Sequence, residues 1–184
     1  MKVVVDTNVI IDLAKIFGSG KINTNDRKEN SLSQIFTMIA DGRVQLQVVP
    51  KVAQEIKRGS KKDKGLSEMF MTKYCDEIEL SPEEKHEAQD LAYDYGNVLV
   101  GQFPAVAFAQ NSTSKNFSDA LIVAQISIAQ RKLGEELLYM TQNTKDVFDT
   151  PSINVINEEH SLPEIKIFSR NGFMRNFNKT DRHF

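Results

Sequence analysis

Cysteine is nearly absent. Cys75 stands alone in 184 residues, so no disulfide can form within the chain. That excludes a disulfide-stapled scaffold and fits a reducing compartment. Long apolar runs are missing too, and no basic stretch followed by an apolar core opens the chain. A cytoplasmic location without a membrane partner is therefore expected. An excess of one charge is the third absence. Lys and Arg number 23 against 25 Asp and Glu, a net charge of −2. Nucleic-acid binding, if it occurs, must use a local basic patch and not the bulk field. No internal repeat is visible. With 40% hydrophobic and 26% charged residues, the chain is ordinary globular material, and its length fits one domain with a real core.

What is present is concentrated first in residues 1–12. Lys2 to Val5 is a β-branched run that predicts a strand buried on both faces. Asp6 ends it, at the carboxyl end where open α/β sheets place their sites. Thr7 and Asn8 can cap a helix whose apolar face is Val9, Ile10, Leu13, Ala14 and Phe17. The plainer explanation of Asp6 is a helix cap. Three further acidic positions in matching places argue for more.

Gly18 to Asn30 reads as a polar loop, and Ser31 as the cap of a helix ending near Gly42. Val44 to Val49 predicts a second strand. Pro50 opens a short helix carrying Glu55, whose neighbours Val52 and Ile56 place it at the edge of the buried face. The basic residues Lys57, Arg58, Lys61, Lys62 and Lys64 follow. They form a solvated loop or a counter-charge for a polyanion, and the sequence weighs these equally. Leu66 to Tyr74 predicts a helix and Ile78 to Leu80 a short extended piece. Ser81, Pro82 and Glu84 mark a helix start for the stretch to Tyr95.

Gly96 to Phe117 runs from apolar to polar and fits core, flap or partner surface. Ser118 is expected to cap an amphipathic helix, with Asp119 in its first turn. Leu137 to Met140 predicts a third strand, followed by Thr141, Gln142, Asn143, Thr144, Lys145 and Asp146. Ile153 to Ile156 predicts a fourth, and Ile165 to Phe168 an edge strand. The fold class is thus α/β, a mostly parallel, doubly wound central sheet of four to five strands flanked by helices, over residues 1–168. Residues 169–184 form a tail with Arg170, Arg175, Lys179 and Arg182 among Phe173, Phe177 and Phe184. Such a tail suits single-stranded RNA, though a docked or frayed terminus is the stronger expectation.

In a parallel sheet the carboxyl ends of all strands open on one edge. Asp6, Glu55, Asp119 and Asn143 or Asp146 all fall there, so they are expected to share one crevice. Two ionised carboxylates about 4 Å apart repel by roughly 4 kcal/mol at an effective dielectric near 20. A cluster without histidine or cysteine therefore calls for a hard cation with oxygen ligands, Mg²⁺ or Mn²⁺. Phosphodiester hydrolysis fits such a site best.

Four stretches carry a family resemblance: residues 4–12, Val52 to Ile56, Ser118 to Ala124, and Met140 to Phe148. In this order and spacing the chain resembles a PIN-domain ribonuclease over about residues 1–157. The resemblance implies a parallel sheet with an acidic pocket and Mg²⁺- or Mn²⁺-dependent cleavage of RNA. For many bacterial members it also implies a VapC-type toxin held by a cognate antitoxin, and it implies a homodimer. By it, Asp6 and Asp119 are the principal metal ligands and Glu55 a further ligand or water positioner. Thr7, Asn8 and Thr141 are the supporting shell. The family often has an acid two residues after the threonine. Here that residue is Asn143, and the acid is Asp146, one residue further than usual from Phe148.

Two other functions compete. A phosphotransfer protein with a phosphorylated aspartate would share Mg²⁺, but Asn8 stands where that class wants a second acid. A non-catalytic module binding RNA or protein would tolerate the neutral Asn143.

Overall fold

The computed structural model describes residues 1–19, 27–59, 61–99, 115–142 and 150–180. Among them are five strands and eight helices in the order β1 (Lys2–Val5), α1 (Thr7–Ser19), α2 (Arg27–Ala40), β2 (Gln45–Val48), α3 (Pro50–Arg58), α4 (Lys61–Tyr74), β3 (Cys75–Glu77), α5 (Pro82–Leu99), α6 (Lys115–Leu133), β4 (Leu138–Thr141), α7 (Thr150–Glu159), β5 (Lys166–Ser169) and α8 (Arg170–Thr180). The strands form one sheet in the order β3-β2-β1-β4-β5, every pair parallel. The α/β class expected from the sequence is present.

β1 is central because it can be. Val3, Val4 and Val5 are fully buried, as a strand covered on both faces requires. Each such side chain contributes about 1.5–3 kcal/mol of burial. The chain runs outward from β1 to β2 and β3, then returns to the other side of β1 for β4 and β5. The order therefore reverses between β1 and β4, the place where open α/β sheets form their crevice.

The helices supply the layers. α1 buries Val9, Ile10, Leu13 and Ala14 and packs on α4 and α2, while α5 packs on α6 and α7. Phe17, Phe36, Phe70 and Tyr74 meet edge-on or tilted, with centroids 5.0–6.3 Å apart, where α1, α2 and α4 join. α2 ends where Gly42 takes a φ of +71°, a conformation that costs glycine little. Pro50 sits at the first turn of α3. α5 begins with the expected capping box. Glu84 N–H donates to Ser81 Oγ at 3.2 Å and Ser81 N–H to Glu84 Oε2 at 2.7 Å.

Several local expectations are corrected. Ile153 to Ile156 is not a strand but lies within α7. Ile153, Ile156 and Asn157 are buried and Val155 is exposed, which is a helical spacing that a short apolar run does not reveal. β3 lies at Cys75–Glu77 and not at Ile78–Leu80, because Leu46 to Val48 pair with Cys75 to Glu77. Ile78 only adds one bond, from its N–H to Val48 O. α2 starts at Arg27, so Ser31 lies inside it. Its hydroxyl bonds Asn171 on α8 at 3.2 Å instead of capping. α6 starts at Lys115, so Ser118 is not its cap. Phe117 is buried against Tyr93, ring centroids 4.9 Å apart, and this anchors the turn before Ser118. α5 continues through Leu99 into the segment expected to begin at Gly96.

Residues 169–180 are structured. Ser169 ends β5, Arg170 opens α8, and Phe173 and Met174 are buried in the core. Phe177 stacks with Phe173 and lies under the Arg43 guanidinium, 5.7 Å from it. Two of the tail's three aromatics are thus used in internal packing, and Phe184 lies outside the described residues.

Candidate functional site at the sheet edge

Asp6 sits at the reversal point and is almost wholly buried, 4% exposed. It does two jobs. Its Oδ1 accepts the Val9 N–H at 2.7 Å, the bond of a helix cap. Its Oδ2 accepts the Thr141 hydroxyl at 2.5 Å and the Gln142 N–H at 3.1 Å, both at the end of β4. Capping and site therefore coexist. Asp6 itself caps α1, so Thr7 and Asn8 lie inside the helix instead of preceding it.

Every one of these donors is neutral. Burial pushes the Asp6 carboxyl above its ordinary range, and the bonds from Thr141, Val9, Gln142 and Asn8 pull it back only in part. An ionised Asp6 is thus held in place by hydrogen bonds that do not cancel its charge.

Glu55, on α3, is half-buried. Its Oε2 accepts the Thr7 hydroxyl at 2.5 Å, and Lys51 one turn earlier places its ammonium 3.7 Å from Oε1. The start of α3 is fixed by Gln125 of α6, whose Oε1 accepts the Lys51 N–H at 2.9 Å. Asp119 lies in α6 beyond the first turn, half-buried. Tyr139 is a buried residue of β4. Burial raises its phenol far above its usual range, and the charges of Asp6, Asp119 and Glu55 add to the rise. Thr141 hydrogen-bonds the same side chain.

The arrangement has limits. Among the described residues no group of three His, Cys, Asp or Glu is close enough to hold one metal ion. Asn143 and Asp146, the remaining expected donors, lie outside the described residues. Of the expected RNA contacts, Lys57 and Arg58 are exposed at the end of α3, and Lys57 pairs with Glu77 at 3.8 Å. Lys61 and Lys62 open α4, and their side chains lie outside those described.

Sequence reasoning missed several neighbours. Tyr139 shares a strand face with Thr141, two residues on, so the period of two could have found it. Asp12 is half-buried, joined to the Gln142 side-chain amide and to Arg170 at 3.6 Å. Nothing local in the sequence pairs residue 12 with residues 142 and 170.

No family model, curated protein or solved structure matches the chain. Among the described residues no helix is long and apolar enough to cross a membrane.

Proposed function

We propose that this chain is a metal-dependent endoribonuclease built on the PIN-domain plan, hydrolysing RNA phosphodiester bonds with Mg²⁺ or Mn²⁺. The observation that supports it most is Asp6: a carboxylate buried where the strand order reverses and held by neutral donors, with Glu55 fixed by Thr7 of the helix that Asp6 caps. The donor set is all oxygen and fits a hard cation. Asp6 and Asp119 would hold it, with Asn143 as a further oxygen ligand and Asp146 as a further acid, and Glu55 would position its water. When bound, the cation polarises the phosphoryl group and lowers the pKa of a water.

The chain's own residues do the positioning. Thr141 and the Gln142 amide fix one oxygen of Asp6 while Val9 fixes the other. Thr7 orients Glu55, whose carboxylate is then aimed to take a proton from an attacking water. Lys57 and Arg58 supply local positive charge for the phosphate backbone. The resemblance to PIN-domain ribonucleases further points to a homodimer and, as for many bacterial members, to a toxin held by a cognate antitoxin, and the single cysteine fits a cytoplasmic location.

The test is cleavage of fluorescent single-stranded RNA in Mn²⁺ by wild type, Asp6→Asn and Asp119→Asn, with melting curves alongside. Wild type is expected to cut, to lose activity in EDTA, and to melt higher with cation by mass action. Each variant is expected to lose about 10²-fold or more in rate and most of the cation shift. RNA binding without turnover in Mn²⁺ would replace this reading with the non-catalytic module.

A further inference from the structure

We propose that a cleft between α1, α3 and α4 holds one unpaired RNA base next to the scissile bond, an extension that rests on the ribonuclease reading. The cleft is small and half open, and is lined by Thr7 and Ile11 of α1, Glu55 and Ile56 of α3, and Lys64 and Ser67 of α4. Thr7 and Ile11 are one helical turn apart, so they share a face. The cleft begins at the site itself, because Thr7 and Glu55 are the pair joined by the 2.5 Å hydrogen bond.

Ser67 points to a ligand. It is 2% exposed, and its Oγ is shielded from solvent with no hydrogen-bond partner among the described residues. A buried hydroxyl left unsatisfied is unfavourable, and a polar ligand edge relieves it. A hydroxyl both donates and accepts, so it matches the mixed edge of a nucleobase. Ile11 and Ile56 offer apolar contact to the faces of a ring. Lys64 is 40% exposed and only 4.0 Å from its Glu68 partner, a loose pair that leaves its charge available to a phosphate. An unpaired base can turn into such a cleft, whereas the bases of a stem are stacked and paired.

The experiment is fluorescence anisotropy in EDTA with short homopolymers of each of the four ribonucleotides. Proteins are the full-length wild type, Ser67→Ala and Lys64→Gln, each with a melting curve. Wild type is expected to prefer one base. Ser67→Ala should lose about three- to tenfold in affinity for that homopolymer alone, the worth of one hydrogen bond, with an unchanged or higher Tm. Lys64→Gln should weaken all four and flatten the salt slope by about one. Equal wild-type affinity for all four, no RNA binding, an unchanged preference in Ser67→Ala, or an unchanged slope in Lys64→Gln overturns the proposal. An early-melting Ser67→Ala also overturns it, since the hydroxyl would then be structural. Base-selective binding by a wild type that cuts no RNA in Mn²⁺ would keep the cleft and remove the nuclease.

Discussion

Thr141 Oγ1 donates a 2.5 Å hydrogen bond to Asp6 Oδ2, joining residues 135 apart in the chain. The bond bridges the ends of β1 and β4, the two strands between which the sheet order reverses. It fixes an acidic side chain at the one edge position where two connections diverge and leave room for a ligand.

Thr141→Val keeps the shape of that side chain and removes its hydroxyl. Asp6 Oδ2 then loses this donor and keeps the Gln142 N–H, and Tyr139 loses its bond to Thr141. Urea unfolding without cation is expected to show a loss of about 1–3 kcal/mol. A variant as stable as wild type would mean that the bond adds nothing to the fold.

Tyr95 is buried between α5, α6 and α7. Its hydroxyl meets Ser127 at 3.0 Å and Asn157, and Asn157 in turn donates to Pro163 O at 2.9 Å. Tyr95→Phe strips this network of one member and should cost about 1–3 kcal/mol in urea unfolding. The network lies apart from Asp6 and Glu55, so RNA cleavage at a temperature well below melting is expected to persist. A selective loss of activity would connect the two regions.

The acid limb of stability should depend on Glu84 and Glu87. The Ser81 amide holds the Glu84 carboxyl below its ordinary 4.5, and the Arg131 guanidinium does the same for Glu87. Both contribute stability that is complete above 4.5 and is lost as pH falls through their lower folded values. Asp6 has the opposite sign. Its raised pKa makes its contribution complete below its ordinary value and lost as pH rises. Urea midpoints followed from about pH 6 to pH 3 should therefore fall for wild type, and less steeply for Glu84→Gln. Parallel curves for the two proteins would exclude Glu84 as a source.

Much of the frame was legible because the deciding signals are local. Val3 to Val5 followed by Asp6 announces a buried strand and its end. Strand, Pro50 and a short amphipathic helix place Glu55 correctly at a half-buried edge. The box of Ser81 and Glu84 marks a helix start that the structure keeps. The misread pieces share a cause. Ile153 to Ile156 is too short for its period to tell helix from strand. Ser31 and Ser118 are good caps by type, yet each lies inside a longer helix, with Ser31 tied to α8 and the turn before Ser118 anchored by Phe117.

Local signals were enough for the α/β class, for a first strand buried on both faces, and for the positions of Asp6 and Glu55 at helix starts or edges. These follow from β-branched runs, capping residues and apolar spacing, which act over one or two turns of chain. The central place of β1, the meeting of Asp6 with Thr141 and Gln142, the hold of Thr7 on Glu55, and a Ser67 hydroxyl without a partner among the described residues came only with the packed fold. Those relationships depend on strand order and on how α4 lies against α1 and α3. They arise from packing many distant side chains at once, and no local spacing carries that information.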